Sequence, residues 1–490
     1  VDRRQRQMCI RDSFRGAAPV SQDMLVGLLL QAARLGEDLG GRLDSVDLNP
    51  VLVRGDRHWV LDAKVVLRDV PAPASTAQPN MAYLAGFFQA RAVAVVGASA
   101  TPGKIGQAVM DSLAGGEYRG AIYPINPSRP EVMGYPTYPS LSAAPPGIEL
   151  VVVTVGLSMT PDILRECAAL GIHNVVIISG GGKELGGRAE EVEAEIKALA
   201  QQHDIRVVGP NCIGVFDGET RLDTFFQVRE RMLRPKAGPI AIIVQSGTVG
   251  AAVLEAIDSV GVSRFVSYGN RVDVDEADLA AYLAGDPTTQ VIACYLEGLA
   301  DGRKFFRVAS QVAPAKPIVV FKSGRTPRAA RASISHTGFF GGTYGVAAGA
   351  LRQAGCIAVD SIEELSAVSR ALALQPPARG GRIAMISNGA GSMVQAMDLM
   401  ENYGLSLAAP AEATLAHLRA AYPPFYVVQN PVDVTGSATS TDYEVGVAAL
   451  LDDPAVDIVM PWFVFQDLSL IHISEPTRLL SISYAVFCLK

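Results

Sequence analysis

At 490 residues the chain has room for three or four domains of ordinary size, and its 49% hydrophobic content with 47 glycines suits large buried cores. A balance of 42 basic against 49 acidic residues, with no basic run interleaved with aromatics, argues against a nucleic-acid footprint. No apolar stretch reaches the ~20 residues needed to span a bilayer, and the six cysteines form no CxxC pair that would suggest a zinc site or disulfide framework; the chain reads as cytoplasmic.

Both ends read as foreign. Arg3–Ser13 (RRQRQMCIRDS) and Leu468–Arg478 (LSLIHISEPTR) match, in frame, the two orientations of one transposase sequencing adapter, and Ile482–Lys490 matches primer sequence beyond it. Residues 1–13 and 468–490 are therefore expected to be adapter-derived and not native, leaving a fragment of something longer. Setting aside the six basic and three acidic residues of these ends leaves 36 basic against 46 acidic.

From Phe14 onward, an amphipathic helix pattern near Met24–Leu39 precedes two strand-like runs, SVDLNPVLVRG and HWVLDAKVVL. Asn49 and Asp62, one in each run, would lie side by side as oxygen donors to a magnesium ion bridging nucleotide phosphates, or merely mark an ordinary hairpin with an Asn-Pro turn. A Pro- and Ala-rich stretch follows and reads as a linker. From Arg91 the apolar runs AVAVVG, AIYPINP, LVVVTV, NVVIIS and IRVVGPN alternate with helical patterns, a βαβ rhythm that predicts a doubly wound parallel sheet. PIAIIVQSG, RFVSYGN, VIACYLEG and PIVVFKSG predict a second α/β layer. A third opens at RIAMISNGAG and stops in IVMPWFVF, incomplete.

Four further motifs carry chemistry. In VVGASATPGKIGQAV a strand ending at Val96 runs through Gly97, Ser99, Thr101, Gly103 and Lys104 into a helix near Gly106. Glycines let backbone approach a phosphate, the helix start offers free N–H groups and Lys104 adds charge; the motif taken alone fits a nucleotide-type ligand or a merely tight turn. In VVGPNCIGVF, Asn211 and Cys212 would point into the crevice at the carboxyl ends of the strands, unless the turn is structural and the cysteine buried. In IIVQSGTVG, Ser246, Gly247 and Thr248 start a helix and offer hydroxyls, amides and the helix dipole to an anion, or act only as an N-cap. His336, in the small-residue loop SISHTGFFGG, is the candidate phosphoryl acceptor, with Glu297 at the end of the CYLEG strand as its orienting carboxylate, unless it is an ordinary surface or core histidine.

In this order the motifs resemble the NDP-forming acyl-CoA synthetases, the ADP-forming acetyl-CoA synthetases and their succinyl-CoA synthetase relatives. The residues carrying the resemblance are GASATPGKIG with the strand YPINP, VVGPNCIG, VQSGTVG, VSYGNRVDVDEADLAAYLAGDP, YLEG, FKSGRTP, SHTG, ISNGAG and NPVDVTG. The resemblance implies a CoA site at the glycine loop that includes Asn126, phosphorylation of His336 and steadying of that histidine by Glu297. It also implies that DLNP and LDA are the magnesium-binding tail of an ATP-grasp domain. The expected map is an ATP-grasp remnant at 14–70, a linker at 71–84, a Rossmann-like CoA-binding domain at 85–220, a flavodoxin-like succinyl-CoA ligase domain with the phosphohistidine loop at 235–376, and a truncated second flavodoxin-like domain at 380–467.

The implied reaction makes or uses an acyl-CoA thioester through an acyl phosphate and phosphohistidine, with CoA, ATP or GTP, and Mg. The implied substrate is a small carboxylic acid and the implied assembly a homo-oligomer of the full-length chain, with neither nucleic acid nor membrane as partner. Two departures concern the acyl substrate and loop packing: SGGGKELGG replaces the usual Gly-Phe-Ala-Glu turn, and Phe339 and Phe340 follow SHTG. The rival readings are the synthetase-like sensory module of a protein lysine acetyltransferase, in which the histidine can be lost, and a noncatalytic CoA-binding regulator, which would stop after the first βα domain. A dehydrogenase is disfavoured because GASATPGKIG is not G-x-G-x-x-G.

Overall fold

A computed structural model describes residues 21–39, 42–54, 57–67, 81–182, 187–326, 328–329, 344–464 and 488–489, in two units, Val1–Asn80 and Met81–Lys490. In the first unit, helix α1 (Gln22–Leu39) precedes β1 (Leu43–Leu48), β2 (Val51–Arg54), β3 (Arg57–Val60) and β4 (Ala63–Leu67). β1 pairs antiparallel with β4, and β2 with β3. Each run expected as one strand is therefore two. The first breaks at Asn49-Pro50, where proline has no N–H to give to a ladder, and the second breaks beside it at Leu61-Asp62.

The second unit begins with two short helices, α2 (Met81–Leu84) and α3 (Gly86–Gln89), the first of them inside the stretch expected as linker to residue 84. The first sheet is built from β5 (Ala92–Val96), α4 (Ile105–Ala114), β6 (Ala121–Ile125), a short hairpin of β7 (Glu131–Val132) and β8 (Tyr135–Pro136), β9 (Leu150–Val153), α5 (Thr160–Leu170), β10 (Asn174–Ile177), α6 (Arg188–Gln202) and β11 (Arg206–Val208). Its strands run parallel in the order β11-β10-β9-β5-β6. The sequences AVAVV, LVVV and NVVI are apolar almost throughout because a doubly wound parallel strand is covered on both faces. α5 stops at Gly171, which takes the left-handed conformation of a C-cap.

The next strand, β12 (Gly214–Asp217), leaves this sheet and forms the antiparallel edge of the following one by pairing with β14. That sheet comprises β13 (Ala237–Val244), α7 (Gly247–Ala256), β14 (Val262–Ser267), α8 (Glu276–Ala284), β15 (Val291–Leu296), α9 (Gly302–Val312), β16 (Ile318–Lys322), α10 (Tyr344–Gln353), β17 (Ile357–Val359) and α11 (Ile362–Leu374), in strand order β12-β14-β13-β15-β16-β17. The last region contains β18 (Arg382–Ser387), α12 (Ala390–Met400), β19 (Ser406–Leu407), α13 (Glu412–Ala421), β20 (Val432–Asp433), α14 (Ser440–Asp452) and β21 (Ile458–Trp462), with β22 (Cys488–Leu489) antiparallel to β21.

Counted over their parallel strands, and so leaving out the antiparallel edge strand β12, these first two sheets both follow the order 2-1-3-4-5, so each reverses winding direction once, between β5 and β9 in one and between β13 and β15 in the other. Ligands of open α/β sheets bind at the carboxyl ends of such a switch point. The two sheets share one core: Phe87, Phe88, Val93 and Val152 belong to the same buried cluster as Val266, Tyr268, Ile292 and Leu296. Across this junction Arg206 of β11 pairs with Asp273 at 2.8 Å and Asp278 at 3.1 Å, and on the second sheet's side of it Lys304 of α9 reaches Asp275 at 2.8 Å. Among the described residues no helix is long and apolar enough to cross a membrane.

Candidate functional site

At the first switch point the β5–α4 loop is held close to its neighbours by glycine. Gly97 has φ +89°, and a Cβ there would stand 2.6 Å from Val155 Cγ1; at Gly106 it would stand 2.0 Å from the Gly97 carbonyl oxygen. Helix α4 can begin against the loop only because both positions lack a side chain. Gly103, with φ +81°, completes the turn. The Thr101 amide donates to Ser99 Oγ at 3.0 Å, and Lys104 sits exposed at the N-cap of α4 without a side-chain capping bond. Asn126 has a different job from the loop residues. Its Nδ2 donates to the Ala98 carbonyl at 2.8 Å and its Oδ1 accepts from Ser128 N at 2.8 Å, so its amide fastens the loop to the end of β6.

The Gly209–Cys212 turn after β11 meets the loop after β14. Asn270 N donates to the Pro210 carbonyl at 2.8 Å and Val272 N to that of Gly209 at 3.1 Å. Asn211 is exposed with φ +58°. Cys212 reaches the same wall, but its thiol donates to the Ile177 carbonyl at 3.3 Å, and burial pushes its pKa up to about 12. A neutral thiol so placed is a structural group and a poor nucleophile.

At the second switch point Ser246 is the N-cap of α7, with extended backbone and no side-chain capping bond, so its hydroxyl is not consumed by the helix it starts. Sequence reasoning missed its neighbour Gln245. This buried side chain accepts at Oε1 from the backbone N–H of Glu297 and, at 3.0 Å, from that of Gly298. The start of the anion-receptive helix and the end of β15 are thereby tied by one amide. Glu297 is buried and accepts from Tyr295 Oη at 3.4 Å. Two more unanticipated residues brace the same strand end. Arg271 Nη1 donates to the Gly298 carbonyl at 2.6 Å and to Glu276 Oε2 at 3.1 Å, and Lys322 Nζ donates to the Glu297 carbonyl at 2.8 Å. Burial holds the Lys322 ammonium below the usual lysine range, with Glu297 opposing that shift. No local pattern announces these residues, because the strand end that each braces lies 25 or more residues away along the chain.

The start of α4, the turn after β11 and the second switch point open on one cleft of about 350 Å³. The first sheet contributes Ile105 at the start of α4, Ile178 and Gly180; the turn after β11 contributes Asn211, Cys212 and Ile213. The second contributes Gln245 to Thr248 and Asn270, with Phe226 from the loop before β13. Thus Asn211, Cys212, Ser246, Gly247 and Thr248 are gathered in one place. Gly97, Ser99, Thr101, Gly103 and Lys104 are not among the lining residues, and Glu297 lies directly behind Gln245. His336, Phe339 and Phe340 lie outside the described residues, as do residues 183–186 of SGGGKELGG.

In the N-terminal unit the Asn49 N–H donates to the Asp62 carbonyl at 3.1 Å, so the expected neighbours do meet, in the breaks between strands. Among the described residues no group of three or more His, Cys, Asp or Glu side chains is placed to hold a metal ion. Asn49 and Asp62 offer two oxygen donors, a set that suits magnesium completed by phosphate and water oxygens.

Family models match three consecutive stretches: a CoA binding domain over residues 91–217, a succinyl-CoA ligase like flavodoxin domain over 237–372 and a ligase-CoA domain over 383–470. The chain is 37% identical over 378 residues to the alpha subunit of acetate–CoA ligase (ADP-forming) II of Pyrococcus furiosus, an alignment covering 76% of this chain and 81% of that subunit. It is 37% identical to acetate–CoA ligase (ADP-forming) I of Archaeoglobus fulgidus over 76% of this chain and 54% of the relative, and so spans about half of that longer protein. Among solved structures, the Ca. Korarchaeum cryptofilum dinucleotide forming acetyl-coenzyme A synthetase 1 in complex with phosphate and ADP superposes with a TM-score of 0.71 at 36% identity, covering 77% of this chain and 81% of that one. These similarities favour a ligase over an acetyltransferase-linked sensory module.

Proposed function

Because the chain belongs to the family of NDP-forming acyl-CoA synthetases, we propose that it carries the CoA-binding and phosphohistidine half of an acid–CoA ligase that joins a small carboxylic acid to CoA at the expense of ATP or GTP. The observation supporting this reading most directly is the convergence on one cleft of the uncapped Ser246 helix start, Asn211, and the Gln245 amide that holds Glu297.

In this reading Gly97, Ser99, Thr101, Gly103 and Lys104 hold the CoA phosphates through backbone amides and one ammonium, Asn126 keeps their loop in shape, and Asn211 orients the ligand where the sheets meet. The amides and hydroxyls of Ser246, Gly247 and Thr248 receive the phosphoryl group in transit, with the α7 dipole opposing its charge. His336 accepts the phosphoryl group from an acyl phosphate, and Glu297 holds the imidazole in the tautomer that leaves one nitrogen nucleophilic. That transfer releases the free acid and belongs to the thioester-consuming direction, in which inorganic phosphate first displaces CoA from the acyl carbon to form the acyl phosphate. In the thioester-making direction His336, phosphorylated by the nucleotide, passes the phosphoryl group to the carboxylate, and the CoA thiol then attacks the acyl phosphate and releases inorganic phosphate. The unit before the linker is the tail of an ATP-grasp domain, where Asn49 and Asp62 would hold magnesium, whose charge would neutralise the nucleotide phosphates. The full-length enzyme acts in the cytoplasm as a homo-oligomer.

The test exploits the direction that needs no nucleotide. The full chain incubated with acetyl-CoA and labelled inorganic phosphate should acquire acid-labile, base-stable label, and His336→Ala should abolish it while retaining CoA binding. Undiminished labelling of the variant rejects the histidine; an unlabelled wild-type chain that binds CoA rejects the reaction.

A further inference from the structure

The cleft has one polar end and one apolar wall, and the two touch. A Cβ on Gly247 would stand 2.1 Å from Ile213 Cδ1, so an aliphatic side chain lies flush against the first residue of α7. Glycine at 247 is what permits the approach. Phe226 adds a second apolar surface. It follows the fully buried Phe225, packs on the shared core from one side and remains half-buried where it borders the cleft. Ile105 and Ile178 add branched aliphatic surface from the first sheet. None of the described residues lining the cleft carries a formal charge.

A carboxyl-derived head and a hydrocarbon tail have opposite requirements, and this cleft meets both within one residue's width. The head needs the unspent amides at Ser246–Thr248. The tail gains by leaving water for Ile213 and Phe226. A second carboxylate on the tail would be desolvated beside those side chains without a described counter-charge, which is unfavourable for any buried ion. We propose that this cleft is the acyl pocket, that it selects short, uncharged acyl chains over dicarboxylic ones, and that Phe226 sets the permitted length. The proposal rests on the ligase reading above and adds the substrate class to it.

The full chain is titrated calorimetrically, without phosphate, with CoA, acetyl-CoA, butyryl-CoA, hexanoyl-CoA and succinyl-CoA. Phe226→Ala should raise the affinity for hexanoyl-CoA relative to acetyl-CoA by about tenfold, the order of one or two methylenes in an apolar pocket. Phe226→Trp should lower that ratio by a similar factor, and both variants should bind free CoA as the wild type does. Opposite shifts from one position are not a consequence of general destabilisation. If Phe226→Ala does not fold, Phe226→Leu takes its place with the same sign. Succinyl-CoA should bind wild-type protein about tenfold more weakly than butyryl-CoA. Equal affinities for those two thioesters overturn the charge selectivity, and an acyl-length profile unchanged in both Phe226 variants overturns the length gate. A wild-type chain that binds no CoA at all sinks the underlying ligase reading instead.

Discussion

The two larger sheets have the same order of parallel strands and wind around the same kind of switch point, yet the two points are built differently. At β5 and β9 the loop from Ala98 to Lys104 is mostly open to solvent, shaped by glycines and tied down by Asn126. At β13 and β15 the equivalent position is wired with buried polar side chains: Gln245 to Glu297 and Gly298, Arg271 to Gly298 and Glu276, and Lys322 to the Glu297 carbonyl. The same topology therefore carries an open, glycine-shaped loop at one switch point and a buried polar network at the other. Burial makes the difference, since an exposed charge is worth ~0–1 kcal/mol whereas breaking a buried pair costs ~3–5 kcal/mol.

The largest expected effect lies in the wired region. Arg271 and Glu276 side chains are only 2% and 1% exposed, so Arg271→Met should lower the unfolding free energy by ~3–5 kcal/mol by leaving Glu276 unpaired. Adding Glu276→Leu should restore part of it. Denaturant unfolding that registers less than ~1 kcal/mol for the single variant would erase the contrast between the two switch points.

A smaller effect is expected where the sheets join. Burial disfavours the Lys304 ammonium, but Asp275 and Asp278 outweigh burial and hold its pKa above the usual lysine value. A group raised on folding contributes its full stabilisation below its unfolded pKa and loses it as pH rises through the folded one. Melting temperature should thus fall in the alkaline range above the ordinary lysine pKa, and Lys304→Met should flatten that limb. An identical alkaline slope in the variant would remove Lys304 from the account.

The smallest effect belongs to the open loop. Lys104→Ala should weaken CoA binding about fivefold, the worth of ~1 kcal/mol at an exposed site, and leave thermal stability unchanged. An unaltered CoA titration would take the lysine out of the CoA site, and a large loss of stability would show that the loop is wired after all.

Much of this organisation was legible in one dimension. The strands of both sheets announced themselves as β-branched apolar runs, and the switch-point loops as glycine, serine and asparagine directly after them. Local backbone requirements, such as positive φ at Gly97 and Gly103 or a bare helix start at Ser246, leave a local signature. The bracing residues leave none. Gln245 is an unremarkable letter between a valine and a serine until β15 comes alongside β13, and the bond from the Asn126 amide to the Ala98 carbonyl spans two strands and has no local pattern. The departure of β12 to the second sheet is likewise a pairing choice that GVFD does not encode by pattern.

By itself the order of residues determined the α/β class and the positions of the glycine-, serine- and asparagine-rich loops that follow the strands, because periodicity and turn chemistry act over a few neighbours. Only the tertiary structure decided that the start of α4, the turn after β11 and the start of α7 face one cleft, that Cys212 turns its thiol to a carbonyl, and that Ile213 lies against Gly247. Those outcomes depend on which buried surfaces and hydrogen-bonding groups are brought together across tens of residues, and such long-range pairings are specified by packing as a whole.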